Sequence, residues 1–94
     1  MNKILISCFT PDTCTNASGD KLYGILKPYF EKNETVLVSF SNIQPMSSSF
    51  FNSSFGELIE TYGADTFKRI VRLTDIPKNQ VGLLKNYLRF HFEQ

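Results

Sequence analysis

Three kinds of side chain in this sequence could do chemistry: the thiols of Cys8 and Cys14, the imidazole of His91, and the hydroxyls of the run Ser47-Ser48-Ser49. Cys8 directly follows the apolar run Ile4-Leu5-Ile6, and a thiolate at a strand end could accept a phosphoryl group. Such a thiolate needs positive charge, or a cradle of backbone N–H groups, beside it. The loop Cys8-Phe-Thr-Pro-Asp-Thr-Cys14 offers no Gly and no basic residue, and it carries Asp12. His91 falls near the end of the last predicted helix, where the helix dipole suits a cation, and spacing pairs it with no carboxylate or serine. One His, two Cys and no CxxC do not make a zinc ligand set. The three serines follow an apolar strand and open a helix. Their simplest role is capping, with one hydroxyl accepting from a free N–H of the first turn. The same free N–H groups and partial positive charge would also tolerate a phosphate there.

The elements that must position these groups follow from apolar spacing. Lys3 to Ser7 reads as a short buried strand, and Cys8 to Ala17 as a loop punctuated by Pro11, Asp12 and Asn16. Ser18 is placed to cap the next helix, in which Leu22, Ile25, Leu26 and Tyr29 share one face. Pro28 should kink or loosen its last turn, and Asn33 turns the chain. Thr35 to Ser41 is nearly continuously apolar, as an interior parallel strand is. After a loop from Asn42 to Met46, a helix starts near Ser47 or Ser48, with Phe51, Phe55, Leu58, Ile59 and Tyr62 as its apolar stripe. Gly63 ends it. Lys68 to Leu73 is a third strand. Pro77 suits the first position of a last helix that runs to about Phe92. The β-α-β-α-β-α order, with connections too long for hairpins, predicts an α/β fold: a small, mainly parallel sheet of three to four strands with about three helices.

Two features of these helices point outward. Phe50 lies about 100° of helical angle from Phe51, off the core stripe; it either anchors a partner or packs under the 42–46 loop. The last helix has two apolar stripes, Val81, Leu84, Leu88 and Phe92 on one side and Leu83, Tyr87 and Phe90 roughly opposite. One core cannot bury both. The second stripe is therefore expected to be a homodimer or partner face, the alternative being cover from the chain's own loops.

The stretch Ser39-Phe40-Ser41-Asn42-Ile43, followed by Ser47-Ser48-Ser49-Phe50, resembles the STAS domain of sulfate transporters and anti-sigma-factor antagonists. There a strand ending Asp-Leu-Ser-Gly-Val leads to Asp-Ser-Ser-Gly at a helix start. Ser47 stands where that pattern has Asp, and Phe50 where it has Gly. Ser48-Ser49-Phe50-Phe51-Asn52-Ser53-Ser54-Phe55-Gly56, with Gly19 to Leu22 upstream and Gly63 to Ile70 downstream, is similar to the bacterial family of STAS-like domains of unknown function. The resemblance covers roughly residues 17–75. It implies a regulatory, non-enzymatic protein-interaction module without cofactor, with Ser48 as candidate phosphoacceptor and Ser47, Ser49 and Phe50 beside it on the partner surface. The implied partner is a histidine-kinase-like ATPase or an anti-sigma-type regulator. Cys8 resembles the phosphocarrier cysteine of the sugar-phosphotransferase IIB proteins, which gives the alternative function; a small dimeric structural protein is the third.

Composition bounds these readings. Ninety-four residues, 41 % hydrophobic and 20 % charged, are enough for one domain over residues 1–94. A net charge of +1 gives no nucleic-acid footprint. No run approaches the ~20 apolar residues of a membrane span, and the run after Met1 is too short for a signal peptide. Two cysteines are too few for a disulfide framework, so a reducing cytoplasm is expected. Charge is uneven: residues 1–67 balance to −3 and residues 68–94 to +4.

Overall fold

Residues 2–10, 12–43 and 46–92 are described by a computed structural model, with side chains in the last helix as far as Arg89. The chain runs β1 (Asn2–Leu5), α1 (Ile6–Phe9), α2 (Asn16–Glu31), β2 (Val36–Ser39), α3 (Ser48–Phe51), a π-helical turn (Asn52–Gly56), α4 (Glu57–Tyr62), α5 (Ala64–Ile70), β3 (Val71–Thr74) and α6 (Lys78–Phe92). The sheet has three strands, all parallel, in the order β1-β2-β3. Because α3, the π turn and α4 form one unbroken helical run, five helical bodies surround the sheet rather than about three.

The central strand is the one whose sequence is most apolar. Val36 pairs with Asn2 and Val71, and Val38 with Ile4 and Leu73. Ile4, Val36, Val38 and Val71 are buried, whereas Lys3 and Arg72 are exposed and Leu5 and Leu37 are half-buried. Side chains alternate across a strand, so one face of the sheet carries the helical layer and the other is open. Between the sheet and α2–α4 sits an aromatic core. Phe55 touches Phe40, Phe51 and Phe67 with ring centroids 5.6–6.1 Å apart, and Phe30 stacks on Tyr62 at 4.9 Å. The stripe Phe51, Phe55, Leu58 and Ile59 is buried as its spacing predicts, with Tyr62 packed at its edge.

Several boundaries differ from the sequence expectation, each for a local reason. The chain leaves the sheet at Leu5, and Ile6–Phe9 coil into a helical turn closed by the Thr10 N–H and hydroxyl, both donating to Ile6 O at 3.0 Å. Thr15, not Ser18, caps α2: its Oγ1 accepts from the Ser18 N–H at 3.2 Å. With Pro28 inside it, α2 continues to Glu31 and closes, where expected, at Asn33 (φ 57°). There the Asn33 N–H donates to Phe30 O and the Glu34 N–H to Tyr29 O, a Schellman closure with Asn in the left-handed position. Lys68, Arg69 and Ile70, expected in a strand, instead end α5. Gly63 (φ 94°) breaks the preceding helix, and its carbonyl accepts from the Phe67 N–H to start the next. Asp65 in the first turn and Lys68 and Arg69 in the last complement the dipole of α5. Phe67 and Ile70 are buried one turn apart, so a helical period governs this stretch.

Candidate functional site

The three strands end on one side of the molecule, and the loops after them gather the residues with chemical potential. Two helices start side by side there, and their caps are linked. Asp12 Oδ1 accepts from the Cys14 N–H (3.0 Å), the Thr15 N–H (3.1 Å) and the Thr15 hydroxyl (3.0 Å). These donors, the Cys14 amide foremost, hold the Asp12 carboxyl below its ordinary value. Thr15 in turn caps α2. Ser47 caps α3 by accepting from the Phe50 N–H at 3.1 Å, and its own hydroxyl donates to Cys14 O at 3.0 Å. The Ser47 N–H donates to Thr13 O at 3.0 Å. Ser47 therefore ties the two loops together and is half-buried in doing so.

Ser48 and Ser49 are exposed at the first helical positions. No Lys or Arg occurs between residues 4 and 20 or between residues 33 and 67, the segments that build this turn and the helix starts beneath it. A negative charge placed on Ser48 would meet helix N–H groups but no cationic side chain from those segments.

The platform below the turn is closely packed. A Cβ built on Gly19 would stand 2.6 Å from Ser53 Cβ and 2.7 Å from Phe50 O, so α2 and the helical run after Ser48 cross with no room for a side chain. Ser53 Oγ donates to Asn16 Oδ1 at 2.8 Å, and Ser54 Oγ to Phe50 O at 2.8 Å. The π turn lies at this crossing. It adds a residue to one turn and widens the buried side of the run. Phe50, for which a partner anchor and packing within the chain were both open, is fully buried (0 %), which goes against the anchor.

On the last helix, Tyr87 departs from the expected partner face. Tyr87 turns inward: its ring packs on Phe51 at 5.1 Å and its hydroxyl donates to Met46 O at 3.3 Å. With Leu83, Leu84 and Gln80 it closes on Phe40 and Met46, leaving a crevice too small for a water molecule. Met46 and Phe51 of the chain itself thus cover Tyr87. Gln80 Nε2 also donates to Ile43 O at 3.4 Å. The side chains of Phe90 and His91 lie outside the described residues.

Cys8 and Cys14 are exposed free thiols. Among the described residues no three His, Cys, Asp or Glu side chains gather where a metal ion could be held, and no helix is long and apolar enough to cross a membrane. One pairing that spacing did not reveal is Ser39 with Asp75. At the ends of β2 and β3, the buried Ser39 hydroxyl donates to Asp75 Oδ2 at 2.6 Å and accepts from the Ser41 N–H at 3.3 Å. Lys3 Nζ reaches the same carboxylate oxygen at 4.0 Å. The local signal was the Ser39-Phe40-Ser41 strand end; its partner lies 36 residues away and only the parallel register brings it there.

A three-stranded parallel sheet under a helical layer, with a serine-opened helix beside the strand ends, makes this a small α/β domain. Residues 18–80 match the family described as STAS-like domain of unknown function, and the chain belongs to that family. No curated protein and no solved structure matches it significantly.

Proposed function

We infer that this STAS-like domain is a non-enzymatic regulatory module that binds a protein partner through the serine turn and is switched by phosphorylation of Ser48. The observation that carries this is the division of labour among three adjacent hydroxyls. Ser47 is consumed by the cap and the cross-loop bond, while Ser48 and Ser49 stand exposed at the helix start. A phosphate on Ser48 would bring a charge of about −1.5 to −2. The helix start favours it locally. With no cation in residues 4–20 or 33–67, the charge is left to whatever docks there, and burying it unpaired costs several kcal/mol. This reading takes a histidine-kinase-like ATPase or an anti-sigma-type regulator as the partner, and the bacterial cytoplasm as the compartment.

Intact-mass analysis after co-expression with the neighbouring genes tests the switch. One phosphate is expected on the wild type and none on Ser48→Ala. A phosphate on Cys8 would replace the switch with the phosphocarrier reading, and a phosphate that persists in Ser48→Ala would move the acceptor elsewhere. In a pull-down, Ser48→Asp should weaken partner binding by about tenfold or more, and unchanged binding would end the proposal.

A further inference from the structure

At the opposite end of the sheet, β1 is an edge strand. It pairs with β2 on one side, and among the described residues no strand pairs with the other. Such an edge presents a row of free backbone N–H and C=O groups, which native proteins normally cover or blunt. Beside this edge lies an open groove of about 330 Å³, lined by Asn2 of β1, by Ile25, Pro28 and Tyr29 of α2, and by Lys32 and Glu34 at its mouth. Ile25 and Tyr29 are half-buried there although both belong to the apolar set of α2.

We propose that the β1 edge and this groove accept an extended segment of a partner protein, added as a fourth strand, with apolar and acidic residues in alternation. The backbone row asks for a strand. Successive side chains of an added strand point to opposite faces. On the helical face, the side of Asn2 and Ile4, they enter the groove against Ile25, Pro28 and Tyr29, which calls for apolar residues. On the open face they stand beside Lys3, which is 51 % exposed and whose only carboxylate among the described residues, Asp75, sits at the 4.0 Å limit. That calls for acidic ones.

The same strand argues against a second copy of this chain. In an antiparallel pair, residues opposite each other share a face. Two copies of β1 related by a two-fold axis can then centre on Lys3 or on Ile4. Centring on Lys3 opposes two like charges, which destabilises the pair. Centring on Ile4 spans only three residues, because the chain coils into α1 at Ile6.

The probe is a capped hexapeptide of alternating Val and Glu, with its Val–Lys counterpart as control, titrated into the ¹⁵N-labelled protein and followed by NMR. Saturable shifts are expected at the amides of Asn2–Leu5, Ile25 and Tyr29, with the Val–Lys peptide weaker by about tenfold. Lys3→Glu should invert that preference. Ile25→Asp should weaken the Val–Glu peptide by a similar factor, with circular dichroism reporting that both variants remain folded. No saturable shift at millimolar peptide, shifts confined to β3 or the serine turn, or equal binding of the two peptides would overturn the proposal. So would a wild-type dimer in sedimentation whose contact maps to β1. None of these outcomes bears on Ser48, which lies at the other end of the sheet.

Discussion

The serine turn and the helix crossing beneath it are separated by a few residues of chain and differ in almost every physical respect. At the crossing every atom is committed. Gly19 has no space for a methyl group, Ser53 and Ser54 spend their hydroxyls on Asn16 and Phe50, and Phe50, Phe51 and Phe55 are buried. In the turn above, one hydroxyl of three is committed and two face solvent. The contrast shows how a small domain presents a modifiable residue. The packed crossing fixes the helix start, so a group added at Ser48 changes the surface without changing the fold.

Breaking the platform should cost most. Phe55→Ala removes a ring that meets three other aromatic rings, and a loss of ~3–5 kcal/mol is expected in a denaturant melt. A loss under about 1 kcal/mol would mean that this ring is not central to the core. Gly19→Ala should follow at ~1–3 kcal/mol, because one of the atoms its methyl meets is a backbone carbonyl that cannot rotate away. An unchanged midpoint would show the crossing to be looser than the contact distances imply.

Within the turn the serines should separate. Ser47→Ala loses the α3 cap and the bond to Cys14 O, with an expected cost of about 1 kcal/mol. Ser48→Ala should stay within ~0.5 kcal/mol, and Ser48→Asp should be neutral or stabilising by ~0.3–1 kcal/mol at low salt. Equal effects at positions 47 and 48 in thermal melts would erase the division of labour on which the switch rests.

The smallest expected effect is a pH dependence at the linked caps. The Asp12 carboxyl is held below its unfolded value by the Cys14 and Thr15 donors. Its contribution is therefore present above the unfolded value and is lost as pH falls through the folded one. An NMR titration should show the Asp12 carboxyl titrating below ordinary aspartates, with the Cys14 and Thr15 amides shifting alongside. An ordinary titration point would show that the loop does not hold this charge.

Much of the fold was legible in the sequence because it is written in short periods. The uninterrupted apolar run of β2 marks the central strand. The spacing from Phe51 to Tyr62 marks a helix packed on a core, and Asn33, Gly63 and Pro77 mark where helices stop or start. Each depends on residues a turn or two apart. The family resemblance too was carried by the contiguous stretch from Ser39 to Gly56.

Other features had no local signature. Phe50 is off the apolar stripe of an ideal helix, and it is buried because α2 crosses at Gly19 and the helix takes a π turn there. Tyr87 looked like part of an outward stripe until Met46 and Phe51 were placed against it. Lys68 to Ile70 read as strand, and the packing of Phe67 and Ile70 decided for helix up to residue 70. Among Ser47, Ser48 and Ser49, identical side chains in a row, sequence could place a cap but not choose it. The choice fell to Cys14 O, 33 residues away, which accepts the hydroxyl of Ser47. Sequence by itself determined the three longest helical segments, which strand is central and where the serine turn falls, since these depend on neighbours along the chain. Tertiary structure alone decided which hydroxyl is spent and which is left exposed, since that depends on groups brought together only by the fold.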